Sequence, residues 1–157
     1  MTTLDEFLHI GETITLGSHV FEAEEIKAFA AKYDPQPFHM DEEAAKGSVF
    51  GRLCASGWHT VSMWMRYNLL HRQGTGAPAW DGPGPRPQFG PSPGFQNLRW
   101  LKPVYAGDTI TFMRRTMGYR PTASRPGWLV VNGICEAYNQ DGVKVMELES
   151  AAMLKTG

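Results

Sequence analysis

The chain is poor in cysteine, in long apolar runs and in net charge. Only Cys54 and Cys135 occur in its 157 residues, and neither lies in a Cys-x-x-Cys or zinc-type spacing. That excludes a disulfide framework and a cysteine zinc site, and it fits a reducing, cytoplasmic setting. No apolar run approaches 18 residues, and no basic stretch followed by an apolar one opens the chain. A transmembrane helix and a signal peptide are therefore not expected. The net charge is −1, so nothing global calls for nucleic acid or a membrane surface. No Gly-x-Ser-x-Gly elbow surrounds Ser56 or Ser62. No Asp or Glu occurs between Glu43 and Asp81. His9, His19, His59 and His71 show no ligand spacing with His39, so no metal is expected.

What is present suits one folded domain over residues 1–157. The length is typical of a single domain, and 42% hydrophobic residues can fill its core. The charge is uneven. Acids crowd the first third, whereas Arg99, Lys102, Arg114, Arg115, Arg120 and Arg125 face only Asp108. Such a basic window can meet a phosphate-bearing ligand or simply be a solvated strand face.

Thr13 to Val20 has the β-branched content of a strand. Glu22 to Lys32 reads as a helix, with Ile26, Phe29 and Ala30 on one face and acids in its first turns. Asp41 to Lys46 is predicted as a short helix capped by Asp41 and ended by Gly47. A longer helix runs from about Gly57 to about His71 behind Ser56. It has no wide polar face, which predicts burial on most sides, with Trp58, Val61, Trp64 and Met65 largely covered. Residues 74–94 hold six glycines and six prolines, which excludes regular structure and suggests a surface excursion carrying Trp80 and Phe89. Strands follow at Phe95–Trp100, Thr109–Gly118, Trp128–Tyr138 and Val143–Leu154, with a hairpin turn at Asn139–Gly142. The order implies an α+β fold in which an antiparallel sheet wraps one long helix.

The chemistry concentrates in Tyr33-Asp34-Pro35-Gln36-Pro37-Phe38-His39 and in Ser56-Gly57. The residues before Pro35 and Pro37 are pushed toward extended backbone, so Asp34 and His39 are expected on a stiff, extended connector. Neither is expected to be a core packing residue. Gly57 in the first turn of a helix leaves N–H groups open to a ligand oxygen. Spacing alone leaves plainer readings open: Asp34 as a turn cap, His39 as a satisfied histidine, Gly57 as a packing glycine.

Taken together, Tyr33 to Asp41, Phe50-Gly51-Arg52-Leu53-Cys54-Ala55-Ser56-Gly57 and the strand–Pro–Gly–Asp segment from Phe95 to Thr109 resemble the MaoC-like dehydratase family, which includes the (R)-specific enoyl-CoA hydratases. The resemblance runs from about Leu16 to Leu154. It implies a hot-dog fold and hydration of a trans-2-enoyl-CoA or dehydration of a 3-hydroxyacyl-CoA. It implies that Asp34 and His39 hold and activate a water, and that Gly57 N–H receives the thioester oxygen. It implies no cofactor beyond the coenzyme A of the substrate, and a homodimer or larger homo-oligomer. The family's hydratases often carry a serine two turns into the long helix; Met65 stands there, with Ser62 and Arg66 nearby. A hot-dog acyl-CoA thioesterase and a non-catalytic acyl-CoA-binding subunit are the rival readings.

Overall fold

The computed structural model describes residues 1–74 and 76–157. Its chain order is α1 (Leu4–Leu8), β1 (Thr13–Val20), α2 (Ala23–Tyr33), α3 (Pro37–Met40), α4 (Glu42–Lys46) and α5 (Gly57–Gln73), then β2 (Gln88–Phe89), β3 (Gly94–Trp100), β4 (Thr109–Pro121), β5 (Trp128–Tyr138) and β6 (Lys144–Lys155). All strands join one antiparallel sheet in the order β1-β4-β5-β6-β2, with β3 also paired to β6. The sheet curls around α5, giving the expected hot-dog arrangement.

Local chemistry accounts for most boundaries. Asp41 caps α4, its carboxylate accepting from Glu43 N at 3.2 Å, and Gly47 ends that helix. Gly142, at φ 74°, closes the β5–β6 hairpin, where Asn139 N donates to Val143 O at 2.9 Å. Between β3 and β4, buried Asp108 accepts from Tyr105 N at 2.9 Å and from Gln140 Nε2 at 3.0 Å. Helix α1 was not anticipated. It is only five residues long, too short for periodicity to show, but Thr3 and Glu6 form a reciprocal capping box at its start. β2 is likewise a two-residue strand within the Gly/Pro-rich stretch, pairing Phe89 with Leu154.

The core lies between α5 and the inner face of the sheet. Alternate β4 residues Ile110 and Phe112 are fully buried, as are Phe21, Ile26 and Met146. Each such side chain is worth about 1.5–3 kcal/mol of transfer free energy. Trp64, 5% exposed, anchors α5 by donating Nε1–H to Met113 O at 3.0 Å. β1 bulges between Thr15 and Gly17. A Cβ on Gly17 would lie 2.7 Å from the Tyr67 ring, so its missing side chain lets α5 sit close to the sheet.

One expectation about α5 fails in part. Trp64 is buried and Val61 packs on the core, but Trp58 is 49% and Met65 48% exposed. The sheet covers one side of α5 only, and the apolar residues on its other side stay open.

Candidate active site

Asp34 closes α2, its N–H bonded to Ala30 O at 2.8 Å. Pro37 then starts the single turn α3, which carries His39. This differs from the expected extended connector. Pro35 and Pro37 hold the residues before them extended, but Pro37 itself suits the first position of a helical turn. The turn brings the two side chains to one side: His39 Nε2 lies 3.4 Å from Asp34 Oδ2.

His39 is buried, contrary to the expectation that it lies outside the core. Its Nδ1 lies 2.6 Å from the backbone oxygen of Cys54. A carbonyl oxygen only accepts, so Nδ1 carries a proton, and whenever the ring is neutral Nε2 is the acceptor. Cys54 is itself fixed, its N–H donating to Phe38 O at 3.2 Å and its backbone bridging to Tyr105. Burial, and then the Asp34 charge, push the Cys54 thiol up to about 11, so it is no nucleophile at neutral pH.

Burial raises the pKa of the Asp34 carboxyl, but the Ser56 hydroxyl, the Gln36 amide and His39 outweigh it, and the net shift is downward. Gln36 Nε2 donates to Asp34 Oδ1 at 2.6 Å. Ser56 Oγ is buried and makes no bond of good hydrogen-bond geometry, although it lies near enough to favour the charged carboxylate. With the His39 ring neutral, Asp34 Oδ2 and His39 Nε2 are two acceptors facing each other. One water donating a proton to each satisfies both.

These groups open onto a cavity of about 510 Å³ that is also lined by Gly57, Trp58, Thr60, Trp100 and Lys102. Gly57 is the first residue of α5, behind Ser56. The first N–H groups of a helix have no acceptor within it and lie at its positive end. The structure thus brings Asp34, His39 and Gly57 to one cavity. Ser62 and Met65 do not line it; Ser62 Oγ instead donates to Trp58 O at 2.7 Å.

Three contributors escaped the sequence reading. Gln36 sits two residues from Asp34, and a donor amide at that distance was a usable signal. The Cys54 carbonyl and Trp100 had none. A Cβ on Gly57 would lie 2.2 Å from the Trp100 ring, so β3 lays an indole directly over the start of α5. Trp58 meets the same ring edge-to-face, with centroids 5.1 Å apart.

Comparisons with known proteins bear on the family and the fold. A family model described as a MaoC like domain matches residues 6–124, a span that holds Asp34, His39, Gly57 and Trp100. The uncharacterized protein YdeM of Bacillus subtilis (strain 168) is 28% identical over 156 residues, covering 97% of this chain and 98% of its own. The crystal structure of the MaoC-like dehydratase from Rhodospirillum rubrum superposes with a TM-score of 0.77 at 34% identity, over 94% of this chain and 93% of that one. The (R)-hydratase from A. caviae involved in PHA biosynthesis shares the fold, with a TM-score of 0.64 at 23% identity over 94% and 96% of the two chains.

Proposed function

The chain belongs to the MaoC-like dehydratase family, and from that premise we propose that it adds water to a trans-2-enoyl-CoA thioester, or removes it from the 3-hydroxyacyl-CoA. One observation carries this reading. His39 has Nδ1 committed to the Cys54 carbonyl, leaving Nε2 as an acceptor 3.4 Å from the Asp34 carboxylate, in the cavity that Gly57 also lines.

The chemistry follows from those roles. A water bridges Asp34 and His39. Its oxygen bonds to Cβ of the enoyl group while one of its protons passes to the pair. The π electrons of the double bond move onto the thioester oxygen, which the Gly57 N–H stabilises as an enolate. A preorganised donor there is worth a few kcal/mol. The enolate collapses as the pair returns a proton to Cα, so the pair ends as it began. Dehydration is the same sequence reversed. Lys102 lines the same cavity and offers an ammonium to the phosphates of coenzyme A.

The proposed assembly is a homodimer or larger. Trp58, Met65 and Leu69 are all more than 40% exposed and fall on one stripe of α5. β3 pairs with β6 along one edge and with no other strand among the described residues. An open edge beside an apolar stripe suits a second copy of the chain. Light scattering at micromolar protein tests this, and a clean monomer overturns it.

The test of activity is a panel of crotonyl-CoA and longer or branched enoyl-CoAs, followed by loss of the enone absorbance. Loss of absorbance with the thioester intact supports hydration. Release of the free thiol of coenzyme A, with the carbon–carbon double bond kept in the freed acid, supports the thioesterase reading instead.

A further inference from the structure

The basic window divides in the fold, and Arg114 goes to the far half of α5. Arg114 Nη1 donates to Asn68 Oδ1. Asn68 lies about 16 Å along the helix from Gly57 at the usual rise per residue. Arg72 stands one turn further on, its guanidinium carbon 3.7 Å from the centre of the Phe89 ring. Both guanidiniums are partly buried, and they act on one another. Burial first, and then Arg114, bring Arg72 down to about 10.

The pair has no counter-ion among the described residues. The ion pairs among the described residues use Lys27, Lys46, Lys144 and four histidines, and none uses an arginine. The one acidic group that acts on both arginines is the Cys135 thiol, which burial pushes up to about 11 and so keeps neutral. His71 Nδ1 is buried without a hydrogen-bond partner, and burial first, and then Arg114, His9 and Arg72, oppose its protonation. His9 alone has an acid beside it, Glu12 at 3.2 Å. Burying two like charges without compensation is unfavourable, and folds normally avoid it by pairing.

A small cavity of about 20 Å³ is lined by Arg72, Arg114, His9, Phe7 and Phe89. That is room for about one water-sized body. From the paired guanidiniums, the missing carboxylate and the size of this cavity, we propose that it binds a single small inorganic anion of chloride size, which offsets one of the two charges of Arg72 and Arg114 and ties the end of α5 to β4. The site is separate from the cavity of Asp34 and His39, and it stands whether or not the chain hydrates enoyl thioesters.

Thermal unfolding of the full chain tests it, with chloride exchanged for gluconate at constant ionic strength. Binding to the folded state alone predicts that chloride raised from about 5 to about 200 mM lifts Tm by on the order of 3 °C. Arg72→Met and Arg114→Met each abolish that increment, and Arg120→Gln, on an exposed part of β4, retains it. Equal Tm values in chloride and gluconate overturn the proposal, as does a chloride increment that survives both methionine replacements. Phosphate stabilising where chloride does not also overturns it, because the cavity would then hold a larger ion. The wild-type titration decides even if one variant fails to fold.

Discussion

Two histidine–carboxylate groups lie near the start of α5, and they are built for different ends. In one, Asp34 meets His39 at 3.4 Å beside a cavity. In the other, Glu25 receives His19 Nε2 at 2.7 Å and His59 Nε2 at 3.2 Å. His59 is buried, stacked on Phe29 with centroids 4.5 Å apart, and His19 reaches Tyr67 OH at 3.0 Å. Neither Glu25 nor His59 lines the 510 Å³ cavity. Glu25 ties α2, β1 and α5 together, and its carboxylate is directed at two imidazoles of the chain itself. Asp34 and His39 keep two acceptors free for a molecule from outside. An imidazole beside a carboxylate is thus no sign of catalysis by itself; what the pair leaves unsatisfied decides its use.

The largest expected effect falls on the open pair. Asp34→Asn removes an acceptor and the negative charge, and it should lower kcat by about 10²–10⁴-fold, the range for loss of a general acid or base. His39→Gln should do the same. The double variant should lose little more than either single one, since both groups act on one water. Tm should fall little in Asp34→Asn, because the carboxylate is neither fully buried nor packed in the core. The comparison breaks if both singles keep near-wild-type kcat/KM on an active substrate. His39→Ala is a poorer probe, since it strips the Cys54 carbonyl of its donor, at about 1–3 kcal/mol.

Gly57 comes next. A methyl group at that position collides with the Trp100 ring, 2.2 Å from its nearest atom. Trp100 is half-exposed and able to swing away, so Gly57→Ala should displace the indole from the cavity wall more than it unfolds the chain. We expect kcat/KM to drop by about 10–100-fold, a loss on the scale of a disturbed donor for the oxyanion. Trp100→Ala in the same chain should recover part of that loss. No recovery would mean that the methyl group acts on the helix start itself.

How far these roles were legible follows the range of the contacts. Asp34, His39 and Gly57 stand in short, punctuated stretches, where prolines and a helix start mark them. The turn that carries His39 escapes the sequence pattern because a proline that bars a helix interior also suits the first position of a helical turn. Trp100 over Gly57, and Cys54 beneath His39, are contacts between distant segments that no local pattern encodes. The Glu25 cluster joins three elements and was invisible for the same reason. The apolar girth of α5 was read as burial by one sheet, yet Trp58 and Met65 are left for a partner surface.

The closed group should answer in stability. Glu25→Ala leaves His19 and His59 without their acceptor. Losing the partner of buried His59 costs about 1–3 kcal/mol, with less at half-buried His19, and at about 2–4 °C per kcal/mol for a chain of this size Tm should fall by several degrees. Activity per folded molecule should change by less than about tenfold, well short of the loss expected at a general acid or base. A collapse of kcat with Tm unmoved would place Glu25 in the proton path and erase the distinction drawn here.

The smallest effect separates the two groups by pH. Burial is the main cause holding the His59 pKa below its ordinary 6.5, and the nearby His19 adds to it; Glu25 works the other way but does not prevail. The folded state therefore takes up the His59 proton less readily than the unfolded state does. This contribution to stability is fully present above about pH 6.5 and is lost as the pH falls toward and through the folded value. Asp34 is also shifted downward, but from a carboxylate value of 3.8. Its contribution persists at every pH above that and is lost only as the pH falls through its still lower folded value. His71 is depressed as well, by burial and the cations around it, and shares the upper window. Melting curves from pH 7.5 down to about 3 should thus show two separate declines. His59→Phe should flatten the upper one in part and leave the lower one in place; Asp34→Asn should do the reverse. If His59→Phe leaves the slope between about pH 6.5 and 5 unchanged, the buried imidazole is not held neutral by its surroundings, and the contrast between a closed structural cluster and an open acid–base pair loses its electrostatic half.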